Sequence, residues 1–269
     1  MNAVAENPAP QQSAVNGLEP VTRETLQTKV YAELRRAIMG GIFVPGETVT
    51  LRRLSEIFGT SIMPVREAVT RLIGERALVM LPNRTVIVPQ MTRARFEDLT
   101  TARVLAEQQV ARVAATRMDA RQIAELNQQN DRIIEALRRE DWQGALIANR
   151  DFHFMLYAGA GSDVFSHLIE TLWLQVGPFL VFSMKSPPTR WTTEHHLAVI
   201  GALRTRNANA AAKAIGADIK ETARHLLQTG IFVEAHDVNA ISVANGAHSN
   251  NRNIQQDKGR SRNGSALKL

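Results

Sequence analysis

Between Thr60 and Val88 (TSIMPVREAVTRLIGERALVMLPNRTVIV) the apolar residues change their period, and few small folds accommodate that change. Val65, Ala68, Val69, Leu72 and Ile73 recur at i, i+3, i+4, i+7 and i+8, which places them on one face of an α-helix. Ser61 can cap that helix. Pro64 then falls in its first turn, where a missing N–H leaves no bond unmade. The other face carries Met63, Arg66, Glu67, Thr70 and Arg71. Two short apolar runs follow, Leu78–Leu81 and Val86–Val88, around Pro82-Asn83-Arg84-Thr85. They predict a hairpin with Arg84 at its tip.

Two further helices are predicted upstream. Val30, Leu34, Ala37 and Ile38 form one apolar stripe, closed by Gly40-Gly41 and the turn Val44-Pro45-Gly46. Leu51, Leu54, Ile57 and Phe58 form the next, and Gly59 stops it. Three short helices and a hairpin make a winged helix-turn-helix, whose last helix enters a major groove N-terminus first. Charge supports this reading. The chain carries a net +6, and Arg23 to Arg95 alone hold 12 Lys/Arg against 6 Asp/Glu, so the excess lies in this unit. Such local excess points to a polyanion. Arg35, Arg52, Arg53, Arg66, Arg71 and Arg84 all fall off the core stripes, with Ser61, Met63 and Thr70 beside them. One such arginine usually means a surface ion pair; the set means contact with double-stranded DNA. Arg66 is long enough to meet guanine O6/N7 or a phosphate.

The predicted organisation is a disordered arm at 1–21, the winged helix at 22–90, an all-helical unit at 92–235 and a disordered basic tail at 236–269. Thr92 is a candidate cap where the helical unit begins. The chain has no cysteine, so disulfides and thiolate metal sites are excluded. The first residues lack the basic-then-apolar pattern of a signal peptide, and no uninterrupted apolar run reaches membrane-spanning length. A cytoplasmic protein without membrane contact is the expectation.

In the helical unit, polar residues break into apolar stripes. Asn149 and His153 stack at i, i+4 beside Phe152, Leu156 and Tyr157. His196 shares a stripe with Val199, Ile200 and Leu203; Asp218 shares one with Ala211, Ala214, Ile215 and Thr222. A carboxylate facing a core needs a partner. Four N/O donors from different helices, Asn149, His153, His196 and Asp218, can hold zinc, nickel or manganese. The plainer alternative is four separately hydrogen-bonded core groups. Arg103, on a stripe with Leu99, Ala106 and Val110, needs an anion: an internal carboxylate or a carboxylate effector. Trp173 and Phe179, near a kink expected at Gly177-Pro178, read as core, and His195 as exposed.

Val44-Pro45-Gly46, Leu54-Ser55-Glu56, Ser61-x-x-Pro64-Val65-Arg66-Glu67-Ala68 and Leu72-Ile73 resemble the GntR family of bacterial transcription regulators. The resemblance implies operator contact by Arg52 and Arg66. It also implies a glycine after the Asn-Arg pair of the wing, where this chain has Thr85. Arg103-x-x-x-Glu107, Asn149-x-x-Phe152-His153 and Glu194-x-His196 resemble the FCD ligand-binding domain of the FadR subgroup, an antiparallel helical bundle. That domain often holds a divalent metal through an aspartate and three histidines. Asn149 and Asp218 stand at two of those positions, so the chemistry is exchanged there. The resemblance further implies that Arg103 anchors a small organic acid. One winged helix is too small an interface for strong site selection, so a homodimer on a pseudo-palindromic operator is expected. A metal-dependent enzyme with an accessory DNA-binding unit is the rival reading. It needs a general base beside an open metal position, and nothing like HExxH is present.

Overall fold

Leu174 belongs to the second unit by sequence, yet it is buried in the hydrophobic core of the first. The two units therefore share packing. The computed structural model describes residues 26–185 and 193–234. The expected arm at 1–21 and the whole of the basic tail at 236–269 lie outside the described residues, as do residues 186–192.

The N-terminal head contains α1 (Leu26–Met39), β1 (Thr48–Val49), α2 (Leu51–Ile57), α3 (Ile62–Gly74), β2 (Val79–Met80) and β3 (Val86–Ile87). The α3 stripe is buried as its spacing requires, with Val65, Ala68, Val69 and Leu72 packed against Val30, Tyr31, Leu34 and Ile38 of α1. The hairpin forms, but β3 is the centre of a three-stranded antiparallel sheet, because β1 also pairs with it: Thr48 faces Ile87 and Val49 faces Val86. A two-residue strand shows no period, so β1 had no signature in the sequence. Ile57 is a second departure. Expected in the core, it ends α2 and is 65% exposed, while Ser55 is buried and donates to the Arg52 carbonyl.

The bundle contains α4 (Arg93–Arg117), α5 (Ala120–Arg138), α6 (Trp142–Ala158), α7 (Asp163–Lys185), α8 (Glu194–Arg204) and α9 (Ala208–Leu226). Thr92 caps α4 by accepting from the Arg95 N–H, and Asp119 with Gln122 forms a capping box on α5. Helix α7 runs through Pro178. Over Asp163–Ser183 it is long and apolar enough, by length and composition, to cross a membrane. Glu170 and Gln175 interrupt its apolar run, and more than half of the segment is buried here as a core helix.

Head and bundle meet where α1 lies on α7. A Cβ at Gly177 would sit 2.6 Å from the Met39 Cα and 2.8 Å from the Ile38 carbonyl oxygen, so this glycine permits the close approach of two backbones. Arg35 reaches Glu170 at 2.6 Å, and the side chains of Gln143 and Arg150 on α6 donate to the Gly40 and Arg36 carbonyls. Gly201, an exposed α8 glycine, has open space around it. Gly177→Val should therefore cost roughly 1–3 kcal/mol through overpacking. Gly201→Ala should add about 0.5–1 kcal/mol by helix propensity. Urea unfolding of both variants checks the pair.

Candidate nucleic-acid interface and ion site

Helix α3 is held by its buried face, so its opposite face is a rigid platform. Arg66, Thr70 and Met63 are exposed on it, with Ser61 at its N-terminus. Ser61 has the extended backbone of an N-cap, but its side chain makes no capping bond. The hydroxyl stays on the helix N-terminus, where N–H groups attract phosphate. Arg52 and Arg53 are exposed on α2, Arg52 in a solvent-screened pair with Glu56 at 3.2 Å. Ile57, Ile62 and Met63 are exposed apolar residues around the α2–α3 turn. Apolar groups so placed can meet thymine methyls. Ile57 was expected in the core because it continues the α2 stripe, and Ile62 was not singled out.

Arg84 is exposed at the wing tip and has φ of 65°. The left-handed residue is thus Arg84 itself, not Thr85. Asn83 Oδ1 accepts from the Thr85 N–H at 3.0 Å, and Leu81 closes the turn with Thr85 and Arg84 through backbone bonds of 2.8 Å. The tight turn therefore forms without a glycine at 85, at a cost of about 1–2 kcal/mol for the left-handed arginine.

Besides Arg52, two arginines of the expected set are engaged by other groups of the protein. Arg35 is a correction: its guanidinium, expected free for DNA, is half-buried and binds the half-buried carboxylate of Glu170 on α7 at 2.6 Å. Arg71 is exposed but stacks on the Tyr31 ring, 3.8 Å from its centroid, and pairs with Glu75 at 3.3 Å. Among the described residues, Arg53, Arg66 and Arg84 make no side-chain hydrogen bond or ion pair, so their guanidinium groups remain available.

The second constellation lies at the centre of the bundle. Asn149 and His153 come from α6, His196 from α8 and Asp218 from α9, and all four are buried. Donor atoms of His153, His196 and Asp218 lie within 4.8 Å of one another. His153 Nε2 is 3.3 Å from Asp218 Oδ2, and His196 Nε2 is 3.6 Å from Oδ1. Asn149 lines the same small cavity, and its Oδ1 is buried without a hydrogen-bond partner. An unmet buried acceptor costs about 1–3 kcal/mol. Two imidazoles, a carboxylate and an unmatched amide oxygen fit a divalent ion of the zinc, nickel or manganese type. The cavity measures about 10 Å³. That is the space of one water or one ion, not of an organic acid.

Around this cavity, Arg103 lies beside Trp173, its guanidinium 4.6 Å from the ring centroid. Of the two anions open to Arg103, the structure supplies the internal one: Nε donates to Glu107 Oε1 at 2.7 Å. Trp173, expected in the core alone, lines the cavity and donates to Glu107 at 3.2 Å. Asn130 was missed altogether. Its Oδ1 is 3.3 Å from His196 Nδ1, and its place on the α5 stripe with Ile123, Leu126 and Ile133 was the available signal. His195 points outward and pairs with Glu221.

Both domains now have partners among known proteins. Residues 26–88 match the family model of the bacterial regulatory proteins of the gntR family, and residues 98–221 match the FCD domain. The chain belongs to the GntR family. It is a DNA-binding transcription regulator with a helical FCD domain, not an enzyme, and the metal-enzyme reading is set aside. The chain is 26% identical to the HTH-type transcriptional regulator McbR of Escherichia coli K12 over 68% of this chain and 84% of that protein. It is also 26% identical to the transcriptional repressor RspR of the same organism, over 81% and 93% respectively. Among solved structures, E. coli McbR/YncC has the same fold with a TM-score of 0.72 at 23% identity, covering 77% of this chain and 99% of that one. A GntR regulator from Rhodococcus sp. RHA1 aligns with a TM-score of 0.61 at 24% identity, covering 76% and 98%.

In this GntR-family chain, burial draws His196 down from 6.5 to about 4. For Asp218 burial acts upward, but the contacts with His153 and His196 outweigh it and hold the carboxyl at about 2. Between 6.5 and about 4 the unfolded chain takes up the His196 proton and the folded chain does not, so stability falls as pH drops through that window. Asp218 adds a loss in the same direction below its ordinary value of 3.8. Metal-free wild type should melt at steadily lower temperature on acidification from 6.5 to 4, with a shallower slope in His196→Gln. Calorimetry across that range is the check.

Proposed function

We propose that this regulator acts in the cytoplasm as a homodimer on a pseudo-palindromic operator, each head reading one half-site. One head offers too small an interface for strong selection, and two-fold symmetry doubles the contacts. Arg66 reads a base edge, Arg52, Arg53 and Arg84 hold phosphates, and Ser61 meets the backbone at the α3 N-terminus. The observation that carries this reading is the exposed, uncommitted face of α3 above a fully buried opposite face.

A divalent ion held by Asn149, His153, His196 and Asp218 supplies a positive charge at the bundle centre. A small carboxylate effector is the second partner. Arg103 already has Glu107 as its ion-pair partner, so an effector carboxylate adds to an existing pair. The 10 Å³ cavity means that an organic acid enters only as the surrounding helices part. Binding therefore does work on the bundle, and only such differential contact shifts a conformational equilibrium. Helix α7 carries the shift outward: Trp173 lines the cavity, while Glu170, Leu174 and Gly177 touch the head.

Fluorescence anisotropy with DNA flanking the protein's own gene tests the reading. Arg66→Ala should lose sequence discrimination worth about 1–3 kcal/mol. Arg84→Ala should weaken all sequences alike and flatten the salt dependence. Unchanged specificity in folded Arg66→Ala overturns the assignment. Equilibrium dialysis against Zn2+, Ni2+ and Mn2+ tests the ion site: one ion per chain is expected in wild type, with binding lost in Asp218→Asn.

A further inference from the structure

The donors and acceptors around His153 leave its two ring nitrogens with different tasks. Glu107 is fully buried on α4. Arg103 approaches it with Nε at 2.7 Å from Oε1 and Nη2 at 3.4 Å from Oε2, and Trp173 Nε1 lies 3.2 Å from Oε1. Guanidinium and indole nitrogens only donate, so the carboxylate only accepts. Tyr157 is the remaining partner, through a short contact with Oε2. Its hydroxyl has one proton, and that proton goes to Glu107.

The Tyr157 oxygen is also 2.8 Å from His153 Nδ1. With its proton spent on Glu107, the tyrosine can only accept there, so Nδ1 must carry a hydrogen. In a neutral ring the other nitrogen then has the lone pair. That nitrogen, Nε2, faces Asp218 Oδ2 at 3.3 Å. Two electron-rich atoms at that distance need a positive charge between them, a proton or a metal ion. The spacing is helical on both sides: Arg103 and Glu107 are i, i+4 on α4, and His153 and Tyr157 are i, i+4 on α6.

We infer that Glu107 and Tyr157 are positioning residues for the ion site: they pin the His153 proton on Nδ1 and present Nε2 toward Asp218 as the ligating atom. The purpose rests on the ion-site reading above, but the hydrogen on Nδ1 can be measured without any metal. A histidine that ligates metal commonly has its other N–H held in this way, and loss of the outer partner lowers metal affinity about ten- to hundredfold. Here the outer partner is a tyrosine steered by a buried carboxylate that also grips Arg103, so the effector arginine and the ion ligand share one hydrogen-bonded chain.

The test uses the full chain with isotope-labelled histidine nitrogens, first stripped of metal and then loaded with Zn2+. Long-range proton–nitrogen correlation spectra should show a hydrogen on His153 Nδ1 in both states, with Nε2 protonated toward Asp218 when metal is absent and bare when Zn2+ is bound. In Tyr157→Phe the ring loses its acceptor, and Nδ1 should lose its hydrogen, leaving the one on Nε2 that Asp218 accepts. Zn2+ affinity should fall about ten- to hundredfold in that variant. A wild-type ring bare at Nδ1 overturns the inference without recourse to any variant. So does a folded Tyr157→Phe protein with Nδ1 still protonated. Failure of wild type to bind Zn2+ with Nδ1 protonated as expected would instead strike the ion-site reading.

Discussion

Polar side chains placed where hydrocarbon would otherwise fill the bundle set the terms for the rest of this structure. Arg103, Glu107, Asn149, His153, His196 and Asp218 are all buried, and they come from α4, α6, α8 and α9. Each needs a partner on another helix or one turn away, so the four helices are constrained in rotation as well as in packing. Removing one member of a buried ion pair typically costs about 3–5 kcal/mol, because the other charge is left uncompensated. An apolar core of the same volume would tolerate sliding. This core has a defined register, and a signal arriving there has something specific to move.

Helix α7 converts that register into a connection. Trp173 faces the cavity and Leu174, the next residue, is buried in the head core. Glu170 binds Arg35, and Gly177 admits the end of α1. Neighbouring residues on one helix thus belong to two different domains. Interiors packed to this density do not deform gradually; they shift between discrete arrangements. The same interface accounts for the correction at Arg35. A basic residue that looked available to DNA serves instead as a tie between the head and the helix that touches the site.

Long periodic patterns were legible in the sequence, and pairings across the fold were not. The buried faces of α1 and α3, the hairpin, the Thr92 cap and the inward turn of Asn149, His153, His196 and Asp218 follow from spacing, whereas spacing left open that His153, His196 and Asp218 meet at one point. Strand β1 escaped because two residues carry no period. Ile57 escaped because helix ends decide burial by where the chain turns, not by hydrophobicity. Arg35 and Arg66 look alike in sequence, and only the position of Glu170, 135 residues away, separates them. Trp173 was read as core because aromatic residues on apolar stripes usually are; its indole N–H has a carboxylate to meet only once α4 and α7 are packed. The resemblance implies a glycine where Thr85 stands, yet the left-handed residue is its neighbour Arg84.

Coupling between the ion site and the DNA-reading head is the central claim, and amide hydrogen–deuterium exchange of the full chain with and without Zn2+ tests it most directly. Slower exchange is predicted in α6, α8 and α9, which hold the ligands, and also along α7 from Glu170 to Pro178 and in the last turn of α1. Protection confined to the three ligand-bearing helices, with α7 and α1 unchanged, would contradict the account.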